Sequence, residues 1–229
     1  MRIAAIILLF SGLSVTVFPQ ADTANIRKTT MYSLSEDYTT IVPLDMDTLI
    51  TGFQDHKVIA RYTPFYASLG NYGLPVLELD FFKRNIDQDR FVYKHYLPYM
   101  HHLGNKIFID TQVPFTELLF TFGGGRTQAE QTFQVRHSQN VNRFLNFGFD
   151  FDVINSLGQY SYQASDDKSF TLHGSYRGNK YKVFSAWTLN SFNGAQNGGI
   201  SDINQIETLD TRDLPTYLGG LSNASSKFS

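Results

Sequence analysis

From residue 115 to residue 190 apolar and polar side chains trade places with a period of two, interrupted at intervals by Gly, Asn, Ser and Asp. In Leu145-Asn146-Phe147-Gly148-Phe149-Asp150-Phe151-Asp152-Val153 every odd position is large and apolar, and every even one is polar or Gly. Successive side chains of a strand point to opposite sides, so this stretch makes a strand with two unlike faces. The pattern predicts a strand ending at Phe122, then strands over 131–138, 142–153, 159–163, 169–177 and 180–190. Hairpin connections are expected at 138–140, 155–158, 165–168 and 178–179. Gly123-Gly124-Gly125 before Arg126-Thr127 reads as a hairpin turn or bend, because an alternating stretch follows it where a phosphate-binding loop would need Lys-Ser/Thr and a helix.

Earlier in the chain the pattern is weaker. One strand is expected at 38–42, and two short strands around a tight turn within 58–82, where Gly70-Asn71, Gly73 and Pro75 supply turn chemistry. Asp45-Met46-Asp47 is read as a loop, since Thr48-Leu49-Ile50 follows where a calcium loop would bring a third ligand and Gly. His95, His101 and His102 stand among tyrosines without a further ligand at regular spacing, and are read as aromatic-wall or loop residues with no metal assigned.

An ordinary sheet packs its apolar side on a core. Here successive strands carry Phe, Tyr, Val, Leu and Trp on one side with no second apolar sheet to meet them, and that side is read as facing lipid. The opposite side carries Gln134, Arg136, Asn146, Asp150, Asp152, Thr171, His173, Ser175, Lys182 and Thr188. A polar inside in contact with water is what a pore requires, so Gln134, Arg136, Asn146, Asp150, Asp152, His173 and Lys182 are the candidate lumen-facing residues.

Composition sharpens this in three places. Twenty Phe and 13 Tyr against one Trp suit strands and interfacial aromatic girdles. A net charge of -2, with no run of Lys or Arg, gives no surface for nucleic acid. The absence of Cys excludes disulfides, thiol nucleophiles, Cys-bearing zinc sites and a lipid-modified Cys. Beyond residue 20 no apolar run approaches the roughly 20 residues of a membrane helix, so a membrane-spanning form has to be a barrel. Residues 1–21, with Arg2, the run Ile3-Ala4-Ala5-Ile6-Ile7-Leu8-Leu9-Phe10 and Ala21, read as a secretory signal peptide.

Five stretches carry a family resemblance: Leu69-Gly70-Asn71-Tyr72-Gly73, Thr111-Gln112-Val113-Pro114-Phe115-Thr116-Glu117, Ala129-Glu130-Gln131-Thr132-Phe133, Arg136-His137-Ser138-Gln139-Asn140 and Asn197-Gly198-Gly199-Ile200. Together they resemble the putative β-barrel porin family of Gram-negative outer membranes over residues 38–221. The resemblance implies an outer-membrane barrel with passive-channel activity, and carries over no catalytic residue or cofactor. Members look longer, so the chain is expected to hold the N-terminal part of a longer member; fewer clear strands are visible than the about eight a bacterial barrel needs.

The expectation is therefore an all-β protein, an antiparallel transmembrane β-barrel in incomplete form. The expected division is a signal peptide at 1–21, a less regular segment with short strands and loops at 22–110, and the first barrel strands at 111–229. Its partners are outer-membrane lipid and small hydrophilic solutes, with a homo-oligomer left open. Two alternatives stand beside it. Ser175 and His173 share a face, as a barrel lipid hydrolase would need, though no orienting group or oxyanion site is visible. A secreted carbohydrate-binding β-sandwich would bury the apolar face instead.

Overall fold

The computed structural model describes residues 29–46, 57–62, 65–68, 70–83, 94–125, 128–218 and 225–228. The leader at 1–21, Asp47 of the Asp-Met-Asp stretch and Arg126-Thr127 after the triple Gly lie outside the described residues. The described chain is all-β with antiparallel sheets and very little helix.

Its largest unit is a six-stranded meander: β6 (Phe115–Gly123), β7 (Glu130–Asn140), β8 (Leu145–Ser156), β9 (Ser165–Arg177), β10 (Lys182–Ala195) and β11 (Ser225–Phe228). Each pairs antiparallel with the next in sequence, so the order in space is the order in the chain. Among the described residues the sheet is open, with β6 and β11 at its edges, and no closed barrel is formed.

β7, β9 and β10 run longer than the sequence pattern predicts, and β8 is shifted from the expected 142–153 to 145–156, because residues 142–144 belong to its connection with β7. Ser138-Gln139-Asn140 completes β7, and Ser165-Asp166-Asp167-Lys168 opens β9, although both were expected as turns. The expected strand at 159–163 is instead part of the connection between β8 and β9. Its alternation of Gln and Tyr is local coincidence: Tyr162 sits at φ 56 and Gly158 at φ 72, backbone values no strand contains.

The remaining strands lie in residues 29–110. β1 (Thr30–Leu34) pairs on one side with β2 (Ile41–Leu44) and on the other with β5 (Phe108–Asp110). β2 begins where the strand expected at 38–42 should end, because Tyr38 occupies a turn at φ 58. β3 (Tyr66–Ser68) and β4 (Val76–Glu78) form the expected short hairpin. A single helical turn, α1 (Val58–Tyr62), precedes it.

Two apolar cores hold this segment. Tyr32, Leu34 and Phe108 are buried together, with Ile41, Leu103 and Phe184 against them. Ile59, Tyr72, Val76, Tyr96 and Tyr99 form the second, joined by Ile154 and Phe192 from the large sheet. Among the described residues no helix is long and apolar enough to cross a membrane.

Candidate functional site

The strand registers divide the large sheet into two faces. Glu117, Arg136, Asp150 and Thr171 fall in one row, because Glu117 is opposite Arg136, Arg136 opposite Asp150, and Asp150 opposite Thr171. The neighbouring row on the other face runs from Val135 through Phe151 to Phe170 and Leu189. The same arithmetic sets all seven candidate residues, Gln134, Arg136, Asn146, Asp150, Asp152, His173 and Lys182, on the polar face.

Burial runs opposite to that of a water-soluble protein. Leu118, Phe120 and Phe122 of β6 are more than 60 % exposed, and Phe147, Leu172, Trp187 and Leu189 are also open. Ser138, Ser156, Ser169, Thr171, His173 and Ser175, on the polar side, are buried. The sequence reading has water against the polar side; the structure corrects this for Asn146, Asp150 and His173, which are 3 %, 8 % and 3 % exposed. The cause is the segment of residues 29–110, which lies over them. Gln134, Arg136 and Asp152 are half-buried, and Lys182 stays exposed.

The cover is held by polar side chains aimed at its backbone and side chains. Ser138 Oγ and Asn146 Nδ2 both donate to the carbonyl of Ile109, each at 2.9 Å. Asn140 Nδ2 donates to Asp110 at 2.6 Å, and Arg177 pairs with the same carboxylate. Tyr32 donates to Ser175 Oγ at 3.0 Å. Further along, Asn190 accepts from the His101 amide at 3.0 Å and donates to its carbonyl at 3.1 Å. At the far end Asn71 Nδ2 donates to the carbonyl of Gln163 at 2.7 Å, and Ser165 Oγ to that of Tyr72 at 2.5 Å.

One glycine makes this approach feasible. A Cβ on Gly73, at φ +89, would stand 2.7 Å from Asp167 Oδ2, so only Gly lets the cover lie this close to β9. Within the wall itself, a Cβ on Gly148 would collide with the His137 carbonyl oxygen and stand 2.7 Å from His173 Nε2, so the gap in the β8 alternation makes room for the β7 backbone and the imidazole.

Between cover and sheet lies a charged cavity of about 160 Å³, lined among others by His101, Lys106, Glu117, Arg136, Asp150 and Asp152. Lys106, buried, pairs with Asp150. Arg136 donates to Glu117 at 3.2 Å, and its Nε lies 3.6 Å from Asp150. His101 bridges two strands, with Nε2 2.8 Å from Asp152 and Nδ1 3.0 Å from Thr171 Oγ1. Burial lowers the Lys106 ammonium to about 8, against the pull of the Asp150 charge, which raises it. Burial likewise pushes the Tyr99 hydroxyl above its ordinary range.

The three histidines go to separate places. His95 Nδ1 lies 3.1 Å from the carbonyl of Val76, His101 bridges Asp152 and Thr171, and His102 precedes a helical turn closed by Asn105. Ser175 is taken by Tyr32, while the His173 ring stands edge-on to Phe108 at 5.6 Å with neither nitrogen hydrogen-bonded. No Ser-His hydrogen bond links the two.

Lys106, Glu117, Asn71, Tyr32 and Asp110 make contacts in the candidate site that sequence reasoning misses. Glu117 sat in the β6 alternation and was legible in principle, as the polar-side neighbour of Arg136. Lys106, between Asn105 and Ile107-Phe108, carried no local signal at all.

A family model described as Putative porin matches residues 25–225, most of the chain. No curated protein and no solved structure matches it.

Proposed function

The chain belongs to the Putative porin family, and from that premise we propose that it is an outer-membrane channel for the passive passage of small hydrophilic solutes. The observation that supports this most is the reversal of the large sheet, with apolar side chains outward and hydroxyl, amide and charged side chains inward. In water that arrangement leaves a broad apolar surface uncovered. In a bilayer it is the expected one, because the outer face meets hydrocarbon and the inner face lines the pore.

On this reading residues 1–21 direct export, residues 22–110 form a segment inside the wall, and residues 111–229 are wall strands. The partners are lipid on the Leu172 and Trp187 side and solute on the Arg136 and Asp152 side. An open edge in lipid leaves N-H and C=O groups unpaired at several kcal/mol each, so the wall is completed by pairing of β6 and β11 with further strands.

Fractionation of cells producing a tagged full chain, with gel mobility compared before and after heating, tests this. Recovery in the outer membrane with heat-dependent mobility is expected. A soluble periplasmic protein would contradict it.

A further inference from the structure

The two ends of the large sheet differ. At one end β7 joins β8 through residues 141–144 and β9 joins β10 through 178–181. At the other end lie the connections 124–129, 157–164 and 196–224. Outer-membrane barrels keep their short turns on the periplasmic side and their long loops outside.

Contacts along the covering segment trace its path between these ends. It starts at the short-turn end, where Thr29 Oγ1 lies 3.1 Å from Thr111 Oγ1 and Tyr32 meets Ser175 near the end of β9. It reaches the long-loop end, where Lys57 pairs with Glu130 at 3.0 Å and Asn71 meets Ser156. It then returns past His101 on Asn190, and Asp110 on Asn140 and Arg177, to the short-turn end, where β6 begins. Both ends of the segment are thus on one side of the wall.

Its contact chemistry permits departure. The wall groups beneath it include Ser138, Asn146, Ser156, Ser165, Thr171 and Ser175, which water can satisfy once the segment is gone. Its two cores draw mostly on its own residues, and the wall lends only Phe184, Ile154 and Phe192.

We propose that residues 29–110 are a displaceable plug, seated in the lumen from the short-turn side, and that solute passes when the part near the long-loop end lifts from the wall. This rests on the reading of the polar face as a lumen, so the test separates movement from conduction.

The chain has no Cys, which leaves introduced thiols unambiguous. Ser165→Cys, a wall position buried under Tyr72, reports movement by its reaction with a membrane-impermeant maleimide in vesicles holding the full chain. Asn71→Cys combined with Ser156→Cys pins the far end of the plug to the wall when oxidised, and single-channel recording in planar bilayers reports conduction. Labelling of folded Ser165→Cys is expected, together with loss of open-channel steps on oxidation of the pair and their return on reduction. If Ser165→Cys reacts only after unfolding, the plug does not move and the proposal fails whatever the conductance. Labelling with conductance indifferent to the staple overturns the gating role. Labelling with no conductance in either redox state overturns gating too, and the channel reading with it.

Discussion

The large sheet and the segment that covers it are built to opposite rules within one chain. The segment hides Tyr32, Leu34, Phe108 and Ile59 and presents polar backbone groups to its neighbour, as a water-soluble unit does. The sheet exposes Leu118, Phe120, Trp187 and Leu189 and hides serines, threonines and two aspartates. The difference lies in the surroundings each surface is matched to. Where the two regions touch, directed hydrogen bonds run along the whole contact, and Phe184, Ile154 and Phe192 of the wall add apolar packing to the segment's two cores.

The largest break in this comparison comes from the segment's own core. Phe108 is fully buried, stacked on Tyr32 at 5.5 Å and edge-on to Phe184. Phe108→Ala should cost about 3 to 5 kcal/mol, most of it in the segment's own core and the rest at its contact with Phe184 and His173 of the wall. Protease should then cut within residues 29–110 while heat-dependent gel mobility of the sheet persists. Simultaneous loss of both would mean that the two regions fold as one.

The outer face is next. Leu172 lies mid-strand in β9, opposite Phe149 and Trp187. Leu172→Arg should cost about 2 to 4 kcal/mol in vesicle refolding, against about 0 to 1 for Tyr176→Arg near the strand end. Equal costs would point to an apolar protein partner, since only a bilayer grades the penalty by depth.

Of these two regions the sheet was far more legible. A period of two is local, so Leu145 to Val153 announces its faces without knowledge of any partner. Apart from 159–163, which is a connection and not a strand, the differences fall at strand ends: Asp166, Asp167 and Lys168 look like a turn, yet they continue β9 because the chain near Tyr72 and Gly73 closes over them. The cover itself was not legible. A polar side chain such as Asn146 looks the same in sequence whether water or the carbonyl of Ile109 meets it. The pairing of β1 with β5 joins residues with most of the segment between them, and no local pattern encodes it.

The contact between the regions should also respond to pH. The Lys106 ammonium is lowered to about 8 by burial, while its unfolded value is the ordinary 10.5. Between these values the released chain binds more protons than the docked one, so docking strengthens as pH rises from about 8 to 10.5 and is weakest below 8. At about 1.4 kcal/mol per unit the window is worth roughly 3 to 4 kcal/mol. Asp150, Asp152 and Arg136 face the ammonium, and Lys106→Met should flatten the slope of segment protection against pH. An unchanged slope would assign the effect to other groups.

The smallest effect probes a single polar contact. Asn146 Nδ2 reaches the Ile109 carbonyl at 2.9 Å, Ser138 Oγ at 2.9 Å and Asn140 Oδ1 at 2.6 Å, all on the buried side of β8. Asn146→Ala removes these donors but leaves the Ile109 carbonyl its second partner, Ser138 Oγ. The cost should therefore sit near the low end for a lost buried hydrogen bond, about 1 kcal/mol. The lost Ile109 bond should weaken docking, while the lost contacts to Ser138 and Asn140 lie within the wall, where the β7–β8 backbone ladder stays intact. Hydrogen exchange resolves this: amides of β1 and β5 should exchange roughly fivefold faster, as about 1 kcal/mol implies, while those of β8 and β9 keep their rates. Equal acceleration in both regions would show that Asn146 stabilises the sheet itself, and that wall and cover are not separable at this contact.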